Sequence, residues 1–266
     1  MQERSDLNYD LNKLVNIIKR RGLVLVKNVF KKKSCELIKK KLEKVVLKRK
    51  KNNEYYGNEN CQALDSYFLD DFSLINLIYQ KITDEVMSKL IDEDYVLISP
   101  CARNPQFQED LKRADKVSGT KWHTDSRFIQ NGKGFNPSLC YTSVIFLDDF
   151  IGKAATNYVS KSHLTYKYPK KNYILKKDIS YLKGKQGDIA FFDTALWHKM
   201  GKSLNHSRWS IFNMYGPWFM KPYFRYWEIK YGNKLNSKKN IFKKLLHFNS
   251  VPPLDHNEGL STLKKS

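Results

Sequence analysis

Two histidines, one aspartate and one arginine hold most of the chemistry this chain could do. His123 and Asp125 stand together in Trp122-His-Thr-Asp125, His198 closes Leu196-Trp-His198, and Arg208 follows ten positions later. Two imidazoles and a carboxylate are the ligand set of a facial triad, which holds Fe(II) on one face and leaves positions open for a cosubstrate and O₂. Such a site also needs a clamp for the far carboxylate of a 2-oxo acid. A guanidinium presents a planar pair of donors matched to a carboxylate, which suits Arg208 to that task and would not suit a lysine. Alone, a His-x-Asp pair is a weak motif, because a loop histidine bonded to its acidic neighbour gives the same letters.

The setting of these residues adds specificity. Gly187-Asp-Ile-Ala-Phe-Phe-Asp193 reads as a turn entering a strand, followed by Thr194-Ala-Leu-Trp-His198. Gly201-Lys-Ser-Leu-Asn-His-Ser-Arg208 comes next, then the strand-like Trp209-Ser-Ile-Phe-Asn-Met-Tyr215. Upstream, Tyr141-Thr-Ser-Val-Ile-Phe-Leu-Asp-Asp149 is a strand ending in acid, and Val159-Ser-Lys-Ser-His163 follows it. With these landmarks in this order, residues 95 to 220, and more loosely to about 255, resemble the phytanoyl-CoA dioxygenase family of Fe(II)/2-oxoglutarate oxygenases.

That resemblance implies Fe(II) on His123, Asp125 and His198, with 2-oxoglutarate chelating the metal and reaching Arg208, and O₂ as the oxidant. It implies hydroxylation of an unactivated C–H in a small metabolite, anionic or carrier-bound, with release of succinate and CO₂. Halogenases of this kind lack the carboxylate, so Asp125 favours hydroxylation; desaturation and ring formation stay open. The resemblance also points to Tyr141 and Thr142, on the strand that in relatives lends an aromatic or hydroxyl group to the cosubstrate pocket, and to Arg103 and Asn104 at the end of the preceding strand. Lys121 and Arg127 flank the His-x-Asp and could meet an anionic substrate, although a solvated charge is the favoured reading for each. His163 and Trp197 read as structural, and His206 and His256 as surface histidines. The family's "E-N-G" and "P-G-S-H" are replaced here by Gly152-Lys-Ala-Ala155 and Ser160-Lys-Ser-His163, so this loop is expected to take another shape.

A chain of 266 residues, 41% hydrophobic and 14% aromatic, can bury a core as a single domain over 1–266. No run approaches the roughly 18–20 apolar residues that span a bilayer, and the N-terminus lacks the apolar core of a signal peptide. Cys35, Cys61, Cys101 and Cys140 are far apart, as reduced thiols of a cytoplasmic protein would be. A formal charge of +21 raises the possibility of a nucleic-acid or acidic-surface binding module, which gains affinity by releasing counterions. Lysine far outnumbers arginine, however, the lysines are spread along the chain, and no nucleic-acid motif accompanies them. A basic field that concentrates an anionic small molecule fits better. A cupin-like metal-dependent isomerase or hydrolase would use the same three ligands but has no need of Arg208. The sequence says nothing of oligomeric state.

The elements that must position these residues divide at about residue 92. Residues 11–21 place Leu11, Leu14, Val15, Ile17 and Ile18 on one helical face, and Gly22 fits the stop. Leu23–Val26 is a short buried strand. Ser34 is expected to cap a second helix through about Lys48, with the apolar stripe Leu37, Ile38, Leu42, Val45 and Val46, and residues 72–91 are expected to be helical. From Tyr95 the texture becomes short strands at 95–101, 141–148, 156–160, 188–193 and 208–215. This is a mainly β chain with flanking helices: a double-stranded β-helix of the jelly-roll or cupin kind over about 93–220, buttressed by N-terminal helices and closed by a C-terminal cap over about 221–266. Gln106 to Gly119 reads as a charged loop or lid, and Lys234 to Leu245 as a helix of the cap.

Overall fold

The computed structural model describes residues 7–55, 57, 61–105, 121–125, 138–165, 167–170, 174–175, 178–201, 208–223 and 240–248. The proposed lid at 106–119, Arg127, His206, His256 and the first part of the cap helix lie outside them.

Two antiparallel sheets make the frame. The larger runs in the order β1 (Leu23–Val26), β7 (Ile189–Asp193), β4 (Tyr141–Phe146), β9 (Ser210–Gly216), β3 (Val96–Pro105), β2 (Cys61–Asp65). The smaller holds β6 (Ile179–Leu182), β5 (Thr156–Val159) and β8 (His198–Lys199). Both faces of the larger sheet are covered, so its central strands read as continuous apolar runs and not as an alternation. Tyr141, Ile145, Ile189, Phe191, Ile211 and Tyr215 face the helices and form the main core. Val144, Phe146, Ala190, Phe192 and Leu196 pack into a second cluster on the other face.

The expected strands are present, with β3 reaching Pro105, beyond the expected end at 101. β1 and β2, from the N-terminal part, supply both edges of the larger sheet. β2, β6 and β8 were not anticipated; they are short strands of mixed polarity with a weak period-2 signal.

Helix α1 (Leu11–Arg21) follows its sequence signals. Asp10 accepts from the Lys13 amide at 3.0 Å, and Gly22 ends the helix at φ 87°. Helix α2 spans Lys32–Lys51 and begins before Ser34, because the Lys31 carbonyl already accepts from the amides of Ser34 and Cys35. Ile38, Leu42, Val45 and Val46 are buried as expected, whereas Leu37 points to solvent. The single helix expected over 72–91 is two elements, a 3₁₀ segment Phe72–Ile78 and helix α3 (Lys81–Leu90). The carbonyls of Leu77 and Ile78 are taken by Asn213 Nδ2 at 2.8 Å and the Tyr215 hydroxyl at 2.9 Å. Those bonds tie the segment to β9 at the point where α-helical pairing would otherwise continue. In the C-terminal part, α4 (Asn240–Leu245) sends Phe242 and Leu245 into the main core.

The turn into β7 depends on Gly187, which has φ 93° and donates to the Phe146 carbonyl at 2.9 Å. A Cβ there would lie 2.4 Å from the Phe30 carbonyl oxygen, in a backbone conformation that side chains disfavour. Gly187→Ala is therefore expected to lower unfolding free energy by about 2–4 kcal/mol, measured by chemical denaturation.

Candidate metal centre

Three chain segments bring the triad together. His198 belongs to β8; His123 pairs with it in an isolated bridge, each amide donating to the other's carbonyl at 3.0 Å. The Asp125 amide donates to the Thr194 carbonyl at 2.9 Å, which seats the aspartate beside the β7–β8 turn. His123 Nε2 lies 3.6 Å from Asp125 Oδ1, and His198 Nε2 lies 3.6 Å from Asp125 Oδ2. These spacings are too long for hydrogen bonds and suit atoms converging on a common ion. All three ligand atoms fall within 4.8 Å of one another.

The backbone sets the tautomers. His123 Nδ1 is 2.8 Å from the Lys121 carbonyl and His198 Nδ1 is 2.9 Å from the Leu196 carbonyl. A carbonyl only accepts, so each Nδ1 carries the proton and each Nε2 keeps a free lone pair aimed at the site. Burial, and then the neighbouring His198, hold His123 below its ordinary value and keep it neutral. Phe192 presses an edge against the His198 ring, with centroids 5.3 Å apart.

Arg208 is the other fixed point, 1% exposed and two residues before the start of β9. Its amide donates to Asn104 Oδ1 at 2.8 Å and its Nη1 to the Gly201 carbonyl at 3.2 Å. The guanidinium stacks over the Phe150 ring at 4.3 Å. Its Nε and Nη2 are buried with no acceptor among the described residues. Burial accordingly pushes Arg208 down to about 10, so it remains a cation at neutral pH. A buried cation with two open donors on one edge suits a carboxylate, which can accept both and balance the charge. Thr142 Oγ1 is likewise buried without a partner.

One cavity of about 460 Å³ connects these groups, lined by His123, Asp125, His198, Arg208, Thr142, Arg103 and, between them, Phe150, Phe212 and Met214. The donor set therefore fits Fe(II), and the open guanidinium fits the far carboxylate of 2-oxoglutarate.

The structure separates the remaining candidates. Thr142 and Arg103 face the cavity. Tyr141 does not; strand alternation turns it into the helix-side core. Asn104 faces away from the cavity too, bonding Gln62 and the Arg208 amide and thus acting on the clamp indirectly. Lys121 contributes its carbonyl, while its side chain is exposed. His163 and Trp197 are buried and bonded to the Lys19 and Lys167 carbonyls, as structural residues would be. Lys161, which replaces the family's turn glycine, takes φ 66°, the left-handed conformation a glycine would adopt, so at this residue the turn keeps a glycine-like backbone. Phe150, Phe192 and Gly201 were not anticipated, since each acts through a contact that no local spacing encodes.

Solved structures with this fold include HygX from Streptomyces hygroscopicus with nickel and 2-oxoglutarate bound, at 13% identity and a TM-score of 0.62, covering 80% of this chain and 89% of that one. The 2-oxoglutarate-dependent carbocyclase SnoK of nogalamycin biosynthesis aligns at 15% identity and a TM-score of 0.57, covering 81% and 86%. The epimerase SnoN of the same biosynthesis aligns at 15% identity and 0.56, covering 78% and 80%. No curated protein sequence matches. The phytanoyl-CoA dioxygenase profile matches residues 18–208, well over half of the sequence, and the chain belongs to that family of Fe(II)- and 2-oxoglutarate-dependent enzymes.

Proposed function

We propose that the protein hydroxylates an unactivated C–H of a small metabolite, consuming 2-oxoglutarate and O₂ and releasing succinate and CO₂. The observation that carries this reading is the buried Arg208 fork, two of whose donors meet no acceptor among the described residues, lining the cavity that holds the triad. Structural relatives hold small molecules in crystals, hygromycin B in HygX and a nogalamycin compound in SnoN, which supports a free metabolite as substrate.

The residues divide the work. His123, Asp125 and His198 would hold the metal, which when bound supplies the oxidising chemistry. Lys121 and Leu196, through their carbonyls, keep both imidazoles in the metal-binding tautomer. Arg208 binds the far carboxylate and fixes the direction in which the cosubstrate extends; Phe150 and Gly201 hold Arg208 in place. Phe150, Phe212, Met200 and Met214 keep the cavity wall apolar, limiting water at the reacting centre.

Anaerobic addition of Fe(II) and then 2-oxoglutarate is expected to give the visible charge-transfer band of a chelated 2-oxo acid, with succinate forming once O₂ is admitted. A folded protein with no band would overturn the cofactor reading; a band with an isomerised or cyclised product would overturn hydroxylation alone. The band is also expected to weaken in acid, because protonated imidazole is no ligand. Since His123 is held below its ordinary value, its share of the loss sets in below about pH 6.5.

A further inference from the structure

The cavity contains a second guanidinium that the cosubstrate does not require. Arg103 lines it from β3, and Asp65 lines it from β2. The register pairs Asp65 with Cys101, so Arg103 stands two residues along on the same face, and the two side chains are diagonal neighbours. Cys101 stands between them: its Sγ accepts from Arg103 Nε at 3.4 Å. Burial pushes the Cys101 thiol up to about 12, so this spacer is neutral at physiological pH. The Cys101 sulfur that Arg103 bonds and, more weakly, Asp65 favour the Arg103 cation against its burial.

Charge balance limits what can dock there. Among the described residues that line the cavity, Arg208 and Arg103 with a metal dication are matched by Asp125, Asp65 and the 2-oxoglutarate dianion, so these groups sum to zero. A substrate of net charge would be buried uncompensated, whereas a zwitterion adds none. We infer that Asp65 and Arg103 form the substrate subsite, taking the ammonium and the carboxylate of an amino-acid-like zwitterion. This rests on the cofactor reading above and moves Arg103 from the cosubstrate to the substrate.

The test is calorimetry on the full chain loaded with Ni(II) and 2-oxoglutarate, using leucine, isopentylamine and 4-methylpentanoate as matched zwitterion, cation and anion. Leucine is expected to bind roughly 10–100-fold more tightly than either single-charge analogue. Arg103→Gln should bring leucine down to the level of the amine, and Asp65→Asn down to the level of the acid, with 2-oxoglutarate affinity within about threefold of wild type in both. Retained cosubstrate affinity shows that each variant is folded, and Arg103→Lys, which keeps the charge, should recover part of the discrimination. Equal binding of the three probes, no binding of leucine at millimolar concentration, or variants that lose stability without changing the ranking would overturn the subsite. Loss of 2-oxoglutarate affinity in Arg103→Gln would return that residue to the cosubstrate. If wild type fails to take up Ni(II) and 2-oxoglutarate at all, it is the cofactor reading that has failed, and the subsite with it.

Discussion

His198→Ala is expected to lower Fe(II) affinity by more than 100-fold and to abolish 2-oxoglutarate turnover while leaving the fold intact. Of the three candidate ligands His198 is the least exposed, with 14% of its side chain accessible against 34% for His123 and 31% for Asp125. Its tautomer is fixed by Leu196 and its ring is supported by Phe192. Removing an outer partner of a metal ligand already costs roughly 10–100-fold in affinity, so removing the ligand itself should exceed that. The fold should persist because the bonds joining His198 to His123 run between backbone groups, which alanine keeps. What is lost is the bond to the Leu196 carbonyl and the ring contacts with Phe192 and His123, each about 1 kcal/mol or less. Competition with a chromogenic Fe(II) chelator under anaerobic conditions, alongside a thermal melt, separates the two effects. Affinity within tenfold of wild type would remove His198 from the metal centre.

The convergence of His123, Asp125 and His198 was legible because each lies in a short local pattern: Trp122-His-Thr-Asp125 and Leu196-Trp-His198 bring donors to the ends of elements that the apolar runs already mark. Which neighbour on a strand faces the cavity was not legible. Tyr141 and Thr142 were equal candidates, and only Thr142 reaches the site. Where both faces of a sheet are buried, polarity no longer alternates, and the inward set cannot be chosen from composition. The same ambiguity joined Asn104 to Arg103, although one buttresses the clamp and the other lines the cavity. Phe150 and Gly201 escaped notice for a different reason. They reach Arg208 across 58 and seven positions of sequence, through contacts set by the closing of the two sheets. The helical region failed where tertiary bonds override local preference: the Leu77 and Ile78 carbonyls are engaged by β9, and the helix expected over 72–91 divides there.

Arg208→Met is expected to move stability and cosubstrate binding in opposite directions. In the free protein Arg208 is a buried cation whose Nε and Nη2 meet no acceptor among the described residues. Each unmet donor costs about 1–3 kcal/mol, more for a charged group. Against this, the bond to Gly201 contributes about 1 kcal/mol and the stacking on Phe150 roughly 1–2 kcal/mol. The unmet donors and the desolvated charge outweigh those contacts. Methionine fills a similar volume with no polar atom, so the variant without cosubstrate should gain about 1–3 kcal/mol, near the range seen when buried charges give way to apolar residues. Cosubstrate binding should fall, because two charge-assisted bonds of about 1.5–3 kcal/mol each disappear, a loss of roughly 10²–10⁴-fold. Adding Mn(II) and 2-oxoglutarate should then invert the order of melting temperatures. Wild type gains about 2.7 kcal/mol at a hundredfold excess over the dissociation constant, while the variant gains almost nothing from the 2-oxo acid. A variant less stable than wild type before cosubstrate is added would mean that Arg208 finds its acceptors within the protein. It would then be a structural cation, and the carboxylate clamp would have to lie elsewhere.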